Sequence, residues 1–103
     1  MKHFNEISRR FLLYLVTLII FTIIFVGIGS DPEEWNGISP EDDDTLSKKV
    51  FNRFYFTTVT FSTIGYGDIS PKSMKLKATT ILLALCIILE LFTILYQTKW
   101  NTK

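Results

Sequence analysis

The chain has 103 residues, a net charge of +1 and 48% apolar residues, which bounds it to one domain and gives no electrostatic case for nucleic acid. A lone cysteine, Cys86, excludes a disulfide framework, and the one histidine, His3, sits in a polar terminal segment. No nucleophile–base set and no metal-ligand cluster supports an enzyme.

Residues 2–10 (KHFNEISRR) place Phe4, Ile7 and then Phe11 at spacings of three and four, an apolar stripe suited to lying in a membrane interface. From Phe11 to Ser30 no charged residue occurs across 20 positions. As a helix that run spans roughly 30 Å, the hydrocarbon thickness of a bilayer. A signal peptide competes for this segment, with Lys2, Arg9 and Arg10 as its basic region. Its apolar core is too long, however, against roughly 7–15 residues for a leader.

Residues 31–47 carry Pro32, Gly37, Pro40 and seven acids, and so form a loop. Asp42, Asp43 and Asp44 read as a solvated face. Beside a cation path they would also enrich cations within a Debye length, about 8 Å. Residues 48–62 turn apolar and aromatic for too short a stretch to cross a bilayer, the pattern of a re-entrant helix. Their Thr57-Thr58-Val59-Thr60 run has poor helix propensity, so a helix here needs tertiary packing.

Thr63-Ile64-Gly65-Tyr66-Gly67-Asp68 follows. Non-helical backbone at membrane depth must be buried in protein or line an aqueous cavity. Alternating right- and left-handed dihedrals would turn successive carbonyls to one side, and Gly65 and Gly67 supply the left-handed positions cheaply. Such a column of oxygens suits a hard, dehydrated cation. Ser70 then offers an N-cap with Pro71 at the first helical position, which starts the next helix at 71 and runs it to 98. Within it, Ala78 to Thr98 holds one charge in 21 residues, Glu90. Two buried core helices are the alternative to two spans, but a protein this small lacks the surface to cover them.

The expected architecture is an all-α membrane protein. It comprises an interfacial segment (1–10), an outer span (11–30), a loop (31–47), a re-entrant helix (48–62), an extended segment (63–68) and an inner span (71–98). Both termini share one side. Basic residues are denser at the ends than between the spans, which favours cytoplasmic termini.

The segment TIGYGD resembles the selectivity filter of potassium channels, whose loops read T-V-G-Y-G and hold the ion by carbonyl oxygens. With two spans the chain looks like the pore-only, virus-encoded miniature members of that family. The resemblance implies K+ as permeant ion at sites built from Thr63, Ile64, Gly65 and Tyr66, with Gly67 completing the filter, Asp68 at its outer mouth and no cofactor. It also implies a homotetramer in a lipid bilayer, because one loop cannot surround an ion, and no obligatory auxiliary subunit.

Departures from the family pattern are informative. Tyr55 and Phe56 stand where many members carry two tryptophans, and Val59 where some bacterial members pair a glutamate with the filter aspartate, which leaves Asp68 without that partner. No glycine interrupts Met74 to Thr98, and no span carries arginine at every third position. The resulting expectation is a largely constitutive channel without voltage sensor or ligand-binding domain. A weakly selective cation channel, a non-conducting subunit and a membrane anchor are the competing readings. Glu90, roughly 24 Å along the helix from Met74, is expected either to pair with Arg9 or Arg10 or to line the inner vestibule, about 100° from Ile88, Leu91 and Leu95.

Overall fold

A computed structural model of the chain describes residues 2–62 and 64–101, with side chains described within 5–62 and 64–96. Three helices carry the architecture: α1 (Lys2–Ile28), α2 (Leu46–Phe61) and α3 (Met74–Asn101). A two-residue strand β1 (Trp35–Asn36) pairs antiparallel with β2 (Ser70–Pro71), setting Trp35 opposite Pro71 and Asn36 opposite Ser70. The described residues extend over 54 × 24 × 21 Å.

Asn5–Ile28 and Met74–Tyr96 are long and apolar enough to cross a membrane, and only 22% and 11% of the 18-residue apolar stretch that qualifies each of them is buried. Their outward faces are therefore apolar, as lipid-facing helices require. No glycine or proline occurs between Lys2 and Val26, and α1 runs unbroken from the polar segment into the span. Ile7 and Phe11 of the terminal stripe are exposed; the side chain of Phe4 lies outside the described residues.

Element boundaries differ from expectation where pairing intervenes. α3 starts at Met74 rather than 71, because Ser70 and Pro71 are taken up in the ribbon with β1. Ser73 caps the helix instead: its Oγ accepts from Leu76 N at 3.4 Å, and its carbonyl accepts from Lys77 N at 3.0 Å. α2 starts two residues early, at Leu46, where Thr45 Oγ1 accepts from Lys48 N at 3.2 Å. The threonine run stays helical because Thr57 is buried against the rest of the fold, while the Thr57 and Thr58 hydroxyls are satisfied by the Arg53 and Phe54 carbonyls, each at 2.7 Å.

Phe21 and Phe25 of α1, Trp35, Phe56 of α2, and Leu76, Leu83 and Ile87 of α3 form the buried core. Phe56 meets Phe25 and Trp35 edge-on at 5.4 and 5.1 Å. Such aromatic pairs add about 0.5–1.5 kcal/mol each beyond burial.

Above this cluster lies a polar lock. The Gly29 carbonyl, just past the end of α1, accepts from Trp35 Nε1 (2.8 Å), Arg53 Nε (3.1 Å) and Arg53 Nη2 (2.9 Å). Arg53 Nη1 binds the Asp43 carboxylate, which Asn52 and Lys49 also contact. Asp43 is thus not part of a solvated acidic face: it is 1% exposed, while Asp42 and Asp44 stay at the surface. The reason is the fully buried Arg53, whose charge needs a partner brought in with it.

Candidate functional site

The segment after α2 leaves the helix by a tight turn. Ser62 N donates to Thr58 O at 2.9 Å, Ser62 Oγ to Val59 O at 3.0 Å, and Gly65 N returns to Val59 O at 3.2 Å. The last helical carbonyls, left without partners inside the helix, thereby anchor the start of the extended strand. Thr63 lies outside the described residues.

Gly65 and Gly67 take φ values of 59° and 79°, the left-handed region that glycine enters without penalty. Nothing lies within 4 Å of where a Cβ would stand on either. Backbone handedness alone, not crowding within the chain, therefore calls for glycine at both positions. Between and beside them the side chains of Ile64 and Tyr66 project outward, 57% and 70% exposed. Phe56 packs into the core and Tyr66 stands clear of it.

Asp68 does have a partner. The Tyr55 hydroxyl donates to Asp68 Oδ2 at 2.8 Å. A phenol reaching across from one helical turn above Val59 supplies the donor that Val59 cannot. The bond to Asp68, followed by desolvation, pushes the Tyr55 phenol above its ordinary value of 10.0, so it keeps its proton.

Glu90 faces α1. Its Oε1 accepts from Thr17 Oγ1 at 3.1 Å, while Oε2 is buried with no hydrogen-bond partner. Arg10, Leu13, Tyr14, Leu89, Thr93 and Ile94 surround it, around a cavity of about 170 Å³. Among the described residues Glu90 forms no ion pair; Arg10 shares the cavity without closing to salt-bridge distance, and Thr17 takes the place expected for Arg9 or Arg10. Ile88, Leu91 and Leu95 lie on an exposed face of α3, turned away from this contact.

The family model described as "Ion channel" matches residues 11–99, which takes in most of both long helices, all of α2 and the glycine segment. The chain belongs to the ion channel family. It is a family of channels and not of enzymes, and with two long apolar helices the channel is an integral membrane protein. Over 47 residues the channel is 47% identical to the hyperpolarization-activated voltage-gated potassium channel of Methanocaldococcus jannaschii, covering 46% of this chain and 22% of that one. It is 60% identical over 39 residues to two-pore potassium channel 4 of Arabidopsis thaliana, covering 38% and 14%. It is 35% identical over 48 residues to potassium channel subfamily T member 1 of Gallus gallus, covering 47% and 4%. The matched stretches thus span less than a quarter of each relative's length. No solved structure matches the channel.

Two residues near the site escaped sequence reasoning. Tyr55 stands where many members of the family carry tryptophan, and its hydroxyl is the one donor in the aromatic pair. Arg53 offered a clearer signal: a single guanidinium inside KKVFNRFYF must either snorkel or find a buried anion.

Proposed function

We propose that the channel conducts K+ selectively, as a homotetramer in which each chain contributes the strand Thr63–Gly67 to a shared filter. The observation that carries this reading is the pair of left-handed glycines, Gly65 and Gly67, in an exposed strand that starts at the C-terminal end of α2. Carbonyls of Thr63, Ile64, Gly65 and Tyr66 would replace the hydration shell, and repulsion between neighbouring ions would keep each site weak enough to leave. The C-terminal end of α2 would turn its partial negative charge towards the approaching ion. Asp68 stands at the outer mouth and both termini face the cytoplasm, in keeping with the density of basic residues at the ends. Continuity of α3 without glycine supports opening that is governed at the filter or at the helix ends rather than by a mid-helix hinge.

Purified full-length chain in a planar bilayer, with K+ on one side and Na+ on the other, tests this. The expected reversal potential tracks the K+ gradient, and Gly65→Ala abolishes current or selectivity because alanine strains the φ of 59°. A reversal potential indifferent to K+ makes the pore a weakly selective cation channel. Absence of current from the chain alone makes it a non-conducting subunit.

A further inference from the structure

We propose that Gly37 is a positioning residue for the filter: the loop between α1 and α2 rests its backbone on the carbonyl of Asp68 and so sets where the outer end of residues 64–68 stands. This inference rests on reading that segment as the ion filter.

Gly37 has φ of 86°, and a Cβ added there would lie 1.7 Å from the Asp68 carbonyl oxygen, 2.8 Å from its carbon and 3.3 Å from Ile69 Cα. All three are backbone atoms, so no flexible side chain can yield. The contrast with Gly65 and Gly67, whose Cβ positions are open, separates two uses of glycine in one chain: handedness at the strand, close approach at the loop. The loop side of the contact cannot retreat easily. Gly37 directly follows β1, which is paired to Ser70 and Pro71, and the Asn36 amide donates to Ser70 Oγ at 3.2 Å. Just before it, Glu34 O accepts from Lys72 N at 2.8 Å and Ser73 N at 3.3 Å, and Trp35 is 3% exposed with its indole nitrogen bound to Gly29 O.

Asp68 is therefore gripped twice, by Tyr55 through its carboxylate and by Gly37 through its backbone. A methyl group at position 37 displaces the carbonyl one residue beyond Gly67. Ion coordination tolerates misplacement of only about 0.5 Å, so the displacement is felt as selectivity or open time.

The test uses full-length channel in planar bilayers under mixed K+ and Na+, with oligomer size in detergent read in parallel. For assembled Gly37→Ala, the K+/Na+ permeability ratio or the mean open time is expected to fall about tenfold, whereas a merely structural role would lower yield and leave both unchanged. Gly37→Ala that assembles and matches the parent in both overturns the proposal. Should that variant fail to assemble, Asn36→Ala decides: it loosens the same ribbon without adding volume, and open time shifts by about twofold if the ribbon positions the filter. An unchanged Asn36→Ala then overturns the proposal. A parent channel without K+-selective current overturns the filter reading itself and this inference with it, and is told apart by needing no variant.

Discussion

Arg53 poses the sharpest problem at the scale of single residues, a guanidinium with no exposed surface in the middle of an aromatic helix. Asp43, Gly29 O and Lys49 O between them engage its nitrogens, and the Trp35 ring lies 5.5 Å from its carbon Cζ. Removing one member of a buried pair leaves the other charge stranded, at a cost of about 3–5 kcal/mol. Asp43→Asn is therefore expected to lower the thermal midpoint of the detergent-solubilised channel, read from tryptophan fluorescence. Arg53→Lys should do the same, because an ammonium cannot span Gly29 O and Asp43 with a planar fork. Burial alone would raise the Asp43 carboxyl, but hydrogen bonds from Arg53, Asn52 and Lys49 outweigh it and hold the group below its ordinary 3.8. A depressed carboxylate contributes stability above its unfolded value and loses it as pH falls through the folded one. Stability should thus be level from neutral pH down to about 5, fall below about 4, and fall less steeply in Asp43→Asn. Lys48 also depresses Asp44, but that pair is exposed and adds little to the acid limb.

At the scale of elements, the contact between α1 and α3 combines apolar packing with one under-satisfied acid. Thr17 Oγ1 is within reach of both Leu13 O (2.9 Å) and Glu90 Oε1 (3.1 Å), yet a hydroxyl has one hydrogen to give. An acidic side chain at the centre of a span costs about 2.5–3.5 kcal/mol of insertion. Glu90→Leu is accordingly expected to raise the thermal midpoint. Unitary conductance should stay within about twofold, because the side chain faces α1 and not the face of Ile88, Leu91 and Leu95. A larger loss of conductance would put Glu90 on the ion path. The helices themselves were legible in the sequence, since runs of 20 apolar residues admit few other structures. The interior of the 31–47 loop was not. Its short 3-10 turn at Pro32–Glu34 and its two-residue strand pair with residues 70–73, far along the chain, and its turn at Pro40–Asp43 is held by Lys48, Asn52 and Arg53 of α2. Asp43 hid for a related reason: a run of three acids looks alike at each position until a distant arginine selects one.

For the whole molecule, the candidate site is the part least complete within one chain. Ile64 and Tyr66 stand exposed, and α3 presents Ile81, Leu85, Ile88, Leu91 and Leu95 outward. Under the function proposed above, one strand cannot encircle an ion, and the exposed Ile64 and Tyr66 with part of this apolar surface would be covered by copies of the same chain. Cross-linking in detergent, or mass by light scattering corrected for bound detergent, is expected to give four times 11.9 kDa. A monomer or dimer that still carries K+-selective current would refute fourfold assembly. Legibility here ran opposite to the fold: T-x-G-Y-G-D announced the strand, while its supports, Tyr55 and Gly37, emerged only once the chain was folded.

The Gly29 carbonyl, with three N–H groups converging on it, makes one end of α1 a fixed pivot. α1 is 27 residues long, roughly 40 Å, and among the described residues its contacts with α2 and α3 run from this end as far as Thr17 and Tyr14, which leaves the stretch around Asn5 to Arg10 farthest from the pivot. Any tilt magnifies with distance from the fulcrum, and about 5° there sweeps the far end, around Asn5 to Arg10, through roughly 3 Å. Thr17 and the Glu90 cavity lie partway along that arm. A tilt of α1 about this pivot would thus move the chain least beside the loop that seats Gly37 and most around Asn5 to Arg10.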